Sequence, residues 1–281
     1  MNPFGTKHTF KLLDQMLDDA MNGTFRESDY NETELSRLET KWMRFLSASA
    51  LSRENLEQER RSIQGLVSDI SHQVKTPIAN IKMFTNILQQ HQLPPEKQAE
   101  FLCTMEGQID KLDFLMQSLI KMSRLETGTF VLRPQEGRLA DTIALAMSAV
   151  WAKAEAKEIS LSADCDSSIC VQHDPKWTAE ALGNILDNAI KYTPPGGSVT
   201  VSVRPWQFYT RVDIADTGIG IAEEHYNDIF QRFYRDPQVA SQEGVGLGLY
   251  LANGIITRQK GYISVKSQVG KGTTFSVYLL S

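Results

Sequence analysis

Cysteine is scarce: Cys103, Cys165 and Cys170 are the only ones in 281 residues, with no CxxC pair and no histidines at zinc-finger spacing. That argues against a disulfide framework and a structural zinc site, and leaves reduced thiols as the expectation. No run approaches the roughly 18 apolar residues of a membrane span. The start also lacks the basic-then-apolar pattern of a secretory signal. There is no excess of positive charge either. The 29 Lys and Arg against 34 Asp and Glu give a formal charge of −5, which supplies no general attraction to nucleic acid or anionic lipid. Nucleic acid is therefore not expected as a partner. What is present, 41% hydrophobic and 22% charged residues, is an ordinary soluble composition with length for about two domains.

Glycine is nearly missing from residues 29–126, where only Gly65 and Gly107 occur. In that stretch apolar residues recur at three- and four-residue steps: Ile63, Val67, Ile70, Val74, Ile78, Ile81, Phe84 and Leu88. This is a narrow helical seam of heptad-like period, suited to a partner helix. Pro77 lies inside it, so a bend is expected just before it, beside His72. The seam breaks at His91-Gln-Leu-Pro-Pro95 and resumes with Phe101, Met105, Ile109, Leu112, Leu115, Met116, Leu119 and Met122. Two amphipathic helices joined by a short turn make an all-α hairpin. A lone hairpin leaves apolar surface uncovered, so pairing with a second copy into a homodimeric four-helix bundle is the expected remedy. Residues 51–64, rich in Glu, Arg and Gln, read as a solvated helix leading into it.

After Thr127-Gly-Thr129 glycine becomes frequent and strands alternate with helices. Val199-Thr-Val-Ser-Val203, Arg211-Val-Asp-Ile-Ala215, Tyr262-Ile-Ser-Val265 and Thr274-Phe-Ser-Val-Tyr278 carry the alternation or β-branching of half-buried strands. Helical stretches are expected at about 139–156 and 175–191, with another beginning near 247. The fold class is thus multidomain: a helical hairpin followed by an α/β two-layer sandwich.

Several segments carry chemistry. His72, in Ser68-Asp-Ile-Ser-His-Gln-Val-Lys-Thr-Pro77, falls between seam positions Ile70 and Val74, on the outward face of its helix. A neutral imidazole there is a competent phosphoryl acceptor near pH 7. In Asn184-Ile-Leu-Asp-Asn-Ala-Ile-Lys-Tyr192 the two asparagines share a helix face, with Lys191 one turn further on. Amide carbonyls are hard ligands suited to Mg²⁺, and a lysine beside them can neutralise phosphate. Asp174-Pro175 fits an N-cap followed by proline at the first helical position. Asp213-Ile-Ala-Asp-Thr-Gly-Ile-Gly-Ile221 runs a strand into a glycine turn. An aspartate there can accept from an exocyclic amine, and Gly218 and Gly220 admit a flat ring. Gly244-Val-Gly-Leu-Gly-Leu249 opens an apolar helix whose free NH groups suit phosphate.

These segments, with Phe230-Gln-Arg-Phe-Tyr234 between them, stand in the order and at roughly the spacing found in sensor histidine kinases of the HisKA type with a GHKL-type ATP-binding domain. The chain resembles that family over about residues 60–281. The resemblance implies that residues 61–127 dimerise and carry the phospho-acceptor, and that residues 128–281 bind ATP with Mg²⁺. It implies autophosphorylation on His72 and transfer to an aspartate of a response-regulator receiver domain, with phosphatase activity toward that regulator. By the same resemblance Asn184 and Asn188 serve Mg²⁺, Lys191 and Tyr192 the phosphates and sugar, and Asp216 the adenine amine. Gly218, Gly220, Gly244, Gly246, Leu247 and Gly248 would line the nucleotide. Residues 221–243 would form a lid anchored by Phe230 and Phe233, with Arg232 or Arg235 reaching phosphate. Lys271-Gly-Thr-Thr-Phe275 is given a structural role.

The chain departs from the family at Gln73, where many members carry an acidic residue directly after the histidine. Glutamine can hydrogen-bond but cannot be a base, so the proton leaves to water or to another carboxylate such as Asp69. Thr76, one turn beyond His72, matches the position that in this family holds water for dephosphorylating the partner. Residues 1–60, with Leu12-Leu-Asp-Gln-Met-Leu17 and the Leu35, Leu38 and Trp42 series, resemble juxtamembrane helices. The expectation is a cytoplasmic piece whose natural protein has a membrane anchor and sensor further upstream. A gyrase-like hydrolase is disfavoured because Asn184 stands where those enzymes place a glutamate base. A protein-serine kinase of the superfamily would lack the His72 to Pro77 helix. A binding-only scaffold would not need every one of these motifs intact.

Overall fold

The computed structural model describes residues 11, 34–91, 93–129, 131–236 and 244–281. The segment 12–17 read as juxtamembrane, and positions 237–243 of the expected lid, lie outside them. The chain divides into two compact units, Met1–His72 and Gln73–Ser281.

One helix, α1 (Glu34–Gln90, 57 residues), runs through both units. Over residues 41–72 it is mostly exposed, with Phe45, Leu56, Ile63 and Val67 uncovered. Pro77, just before which the sequence predicts a bend, lies inside the helix and is buried. Proline removes one NH and crowds the preceding turn, a local cost of about 3 kcal/mol that helical turns on both sides can sustain. Among the described residues no helix is long and apolar enough to cross a membrane.

In the second unit α1 ends at Gln90, and α2 (Pro95–Glu126) begins with Pro95 at its first position. There a missing NH costs nothing, because the first turn has no intrahelical acceptor for it. Phe84 and Phe101 meet across the hairpin with ring centroids 5.1 Å apart. Ile78, Met83, Leu102, Ile109, Met116 and Ile120 remain exposed, while Leu115, Ser118, Met122 and Leu125 of α2 are buried.

The rest of this unit is the two-layer sandwich. Its elements are β1 (Gln135–Arg138), α3 (Leu139–Ala156), β2 (Ser160–Asp164), β3 (Cys170–His173), α4 (Pro175–Tyr192), β4 (Ser198–Pro205), β5 (Tyr209–Asp216), α5 (Gly248–Arg258), β6 (Tyr262–Gln268) and β7 (Gly272–Leu280). Five strands form one sheet in the order β2-β4-β5-β7-β6, parallel at β2/β4 and antiparallel elsewhere, and β1 pairs with β3 in a separate ribbon. Only one face of the sheet is covered. Val199, Val201, Val212, Ile214, Phe275 and Val277 are buried under the helices; of the residues alternating with them Thr200, Ser202, Asp213 and Ser276 are not, while Tyr278 is buried among the rings of Tyr262 and Trp206 on the other face. The buried stripes of α3, α4 and α5 supply the other half of the core: Ile143 and Val150, Leu182 and Ile185, Leu251 and Ile255.

The start of α4 is secured as its sequence suggests. Asp174 accepts from Trp177 N at 3.1 Å and from Arg133 N at 2.9 Å, and its own NH donates to Gln259 Oε1 at 2.7 Å. Those bonds tie the N-terminus of α4 to the end of α5, and so fix the two helices whose other ends frame the cavity described next.

Candidate active site

The last turns of α4 present Asn184, Asp187, Asn188, Lys191 and Tyr192 to a cavity of 460 Å³. Positions 184, 188 and 191 lie on one side of a helix because three- and four-residue steps return to the same face. Asn184 Nδ2 is buried with no hydrogen-bond partner. An orphaned buried amide NH costs about 1–3 kcal/mol, a cost that a bound ligand would relieve. Lys191 Nζ donates to Tyr192 OH at 2.9 Å and stands 4.5 Å from that ring's centroid.

The end of β5 supplies the opposite wall. Asp216 Oδ1 accepts from Gly218 N at 2.8 Å and from Thr273 N at 3.2 Å. Both bonds fall on Oδ1, which leaves Oδ2 as the oxygen available to a ligand. Burial raises the pKa of Asp216, and the two NH donors work against that rise. Burial likewise raises Tyr192, with Arg235 lowering it and Asp236 and Asp187 adding to the rise.

Glycines bring the third wall in close. A Cβ on Gly244 would lie 2.9 Å from Lys191 Nζ, and this glycine sits at φ +133°, where side chains are strained. Gly246, at φ +77°, returns its carbonyl to Phe233 N at 2.9 Å. Phe233 itself has φ +60°, a strained value for a bulky residue, so the turn at Phe233 is held against the glycine loop by more than local preference. Phe230 packs edge-on to Phe275 with centroids 6.4 Å apart.

Of the residues singled out by sequence, the cavity gathers Asn184, Asn188, Lys191, Tyr192, Asp216, Gly220, Arg235, Gly244, Gly246, Leu247 and Gly248. Gly218 is buried beneath the wall, and a Cβ there would lie 2.6 Å from Tyr192 O. Its part is to hold Asp216 rather than to touch a ring. Arg232 is not in the wall: Nη1 lies 2.9 Å from Glu126 Oε1 at the end of α2, and the guanidinium lies 5.8 Å from the Tyr250 ring. The carboxylate of Glu126, which also accepts from Tyr250 OH at 3.0 Å, claims that cation, and Arg235 is the arginine that reaches the cavity. His72 and Thr76 are exposed, and Gln73 is half-buried. Residues that sequence reasoning did not assign to the site include Thr273, Asp187 and Phe114.

Two family models match this chain. Residues 62–128 match the His Kinase A (phospho-acceptor) domain, and residues 173–281 match the histidine kinase-, DNA gyrase B-, and HSP90-like ATPase domain. Together they take in more than half of the sequence. The chain belongs to the sensor histidine kinases. Sensor protein kinase PmrB of Pseudomonas aeruginosa is 30% identical over 225 residues, covering 80% of this chain and 46% of the relative. The chain spans less than half the length of the curated relatives it matches. In fold it is similar to the Acinetobacter baumannii histidine kinase AdeS (TM-score 0.62, 23% identity, 74% of this chain and 97% of that one). It is also similar to histidine kinase ThkA, solved in complex with response regulator protein TrrA (TM-score 0.66, 22% identity, 82% and 66%). The ATPase-type domain accounts for a cavity suited to ATP.

Proposed function

We propose that this chain transfers the γ-phosphoryl group of ATP to His72 and passes it on to an aspartate of a response regulator. One observation carries the reading. A phospho-acceptor domain holding an exposed His72 is joined to a domain whose cavity gathers two amides, a lysine, an arginine and a half-engaged carboxylate. Asp216 Oδ2 would accept from the adenine amine while Oδ1 is kept in place by backbone NH groups. Lys191, Arg235 and the glycine loop of residues 244–248 would hold the phosphates by charge and NH donation.

The residues fit a Mg²⁺ ion. Asn184 and Asn188 offer two carbonyl oxygens one turn apart in the cavity lining, where Nδ2 of Asn184 has no hydrogen-bond partner. Mg²⁺ prefers oxygen ligands and takes the remainder from water and substrate phosphate, so an all-protein cage is not required. When bound it would supply neutralisation of the charge that develops on the phosphoryl oxygens. An imidazole nitrogen of His72 attacks the γ-phosphorus, the bond to the ADP oxygen breaks with its electron pair, and the ring then sheds the proton of its other nitrogen. Gln73 cannot accept that proton. Water reaches His72 directly because the residue is exposed.

The regulator as partner is supported by the ThkA neighbour, whose structure contains one. Thr76 is exposed one turn beyond His72, where its hydroxyl could position water for dephosphorylating the regulator. The relatives, named as sensor proteins and longer than this chain, support an upstream sensor and membrane anchor in the natural protein.

The test is labelling with γ-³²P-ATP and Mg²⁺. Acid-labile, alkali-stable label is expected on the chain, absent in His72→Gln and retained in Thr76→Ala, which should instead dephosphorylate regulator roughly 10- to 100-fold more slowly. Label persisting at a histidine in His72→Gln would place the acceptor elsewhere.

A further inference from the structure

The nucleotide cavity has one wall that the ATP-binding fold does not supply. Phe114 of α2 belongs to the phospho-acceptor hairpin, yet lines the same cavity as Asn184, Asp187 and Asn188. Its setting is unlike that of its neighbour: Leu115 is 3% exposed and helps dock the helix, whereas Phe114 is 49% exposed. An aromatic ring with half its surface uncovered at a cavity wall is available to a ligand.

The docking that sets this ring in place is broad. Lys121 pairs with Glu180 of α4 at 2.5 Å, Glu126 accepts from Arg232 and Tyr250 OH, and Arg258 donates to Leu125 O. Lys121 lies two turns after Phe114, and Asp187 lies two turns after Glu180. Because Lys121 meets Glu180 while Phe114, two turns earlier on α2, lines the cavity built on the later turns of α4 (184–192), α2 runs antiparallel to α4. Phe114 therefore stands at the end of the cavity where the two asparagines lie, away from Asp216 on β5.

We infer that Phe114 is a nucleotide-site residue contributed by the phospho-acceptor hairpin, an apolar wall that shields the terminal phosphate of a bound triphosphate from water. This rests on the reading of the cavity as an ATP site. An apolar wall lowers the local dielectric, and charge pairs such as those of Lys191 and Arg235 with phosphate strengthen as water leaves. Nucleotide binding and hairpin docking are then linked, because the site is complete only when α2 is docked.

The experiment is calorimetric titration of the full chain with a non-hydrolysable ATP analogue and, separately, with ADP, both with Mg²⁺. Phe114→Ala should weaken the triphosphate analogue roughly fivefold, the scale of a half-buried aromatic wall, and ADP by less than about twofold. Phe114→Leu, which keeps an apolar wall, should restore triphosphate affinity. Phe114→Gln, similar in length but polar, should show the Ala pattern and serves if Ala disturbs docking. Equal losses for both nucleotides, or no loss for either, would overturn the inference. Failure of the unmodified chain to bind either nucleotide would instead bring down the ATP-site reading itself, and this inference with it.

Discussion

Asp216 is held where its own charge is disfavoured: burial raises its pKa, and only the NH groups of Gly218 and Thr273 oppose the rise. A carboxylate whose folded pKa is raised contributes stability that is fully present below its unfolded pKa of about 3.9 and is lost as pH rises through the folded value. At neutral pH the ionised group is therefore a cost to the nucleotide-free fold. Asp216→Asn keeps an oxygen for the two NH donors and removes the charge. Thermal unfolding without nucleotide should find the variant as stable as the unmodified chain near pH 4 and more stable at pH 7. The same change should weaken ATP binding, since an amide nitrogen would face the adenine amine in place of an acceptor. A variant less stable at pH 7 than at pH 4, relative to the unmodified chain, would mean that the charge is compensated in the fold and not reserved for a ligand. Thr273 shows why part of this site escapes sequence reading. Its contribution is a backbone NH, and the register of β7 against β5 decides where that NH points.

Helix α4 is the element on which the site depends, and it was legible because three local signals agree: Asp174 at the cap, Pro175 at the first position, and apolar residues at helical spacing. Asp174→Ala removes acceptors for Trp177 N and Arg133 N and should cost about 2 kcal/mol, seen as a lower urea midpoint at unchanged slope. A shift below about 0.5 kcal/mol would mean that water or Gln259 replaces the cap. Strands β4 to β7 were legible for a similar reason, since one buried face imposes alternation. Strands β1, β2 and β3 were not. Gln135–Arg138 and Ser160–Asp164 are short, polar and largely exposed, so only their pairing partners make them strands. The two arginines divide on the same principle. Arg232 lies within the Phe230–Tyr234 motif and Arg235 directly follows it, and both were offered for the same phosphate role. Glu126, more than a hundred positions earlier, draws one to the end of α2. Phe114 lies off the seam of α2, but seam position did not mark it: Leu115 and Met122 lie on the seam and are buried against the ATP-binding domain as well.

The molecule as a whole presents a hairpin with one face engaged and another uncovered. Leu115, Ser118, Met122 and Leu125 are spent on docking against the ATP-binding domain, while Ile109, Met116 and Ile120 of the same helix, and Ile78 and Met83 of α1, remain exposed. Large apolar side chains left in water along a heptad-like seam cost about 25 cal/mol for every Å² that a second copy could cover. A two-fold partner covers the same surface on both chains at once. The chain is therefore expected to be a homodimer through residues of about 61–127. Met116→Glu together with Ile109→Glu places charges in that seam and should give monomers at micromolar concentration by light scattering. The nucleotide cavity is formed by residues between Phe114 and Phe275 of one unit, so the monomer should bind ATP within about twofold of the dimer, because no seam residue lines it. If the unmodified chain is itself a monomer at that concentration, the exposed seam needs another explanation. If the monomeric variant loses ATP binding while remaining folded, the second copy stabilises the docked position of α2, and the hairpin's two faces are not energetically separate.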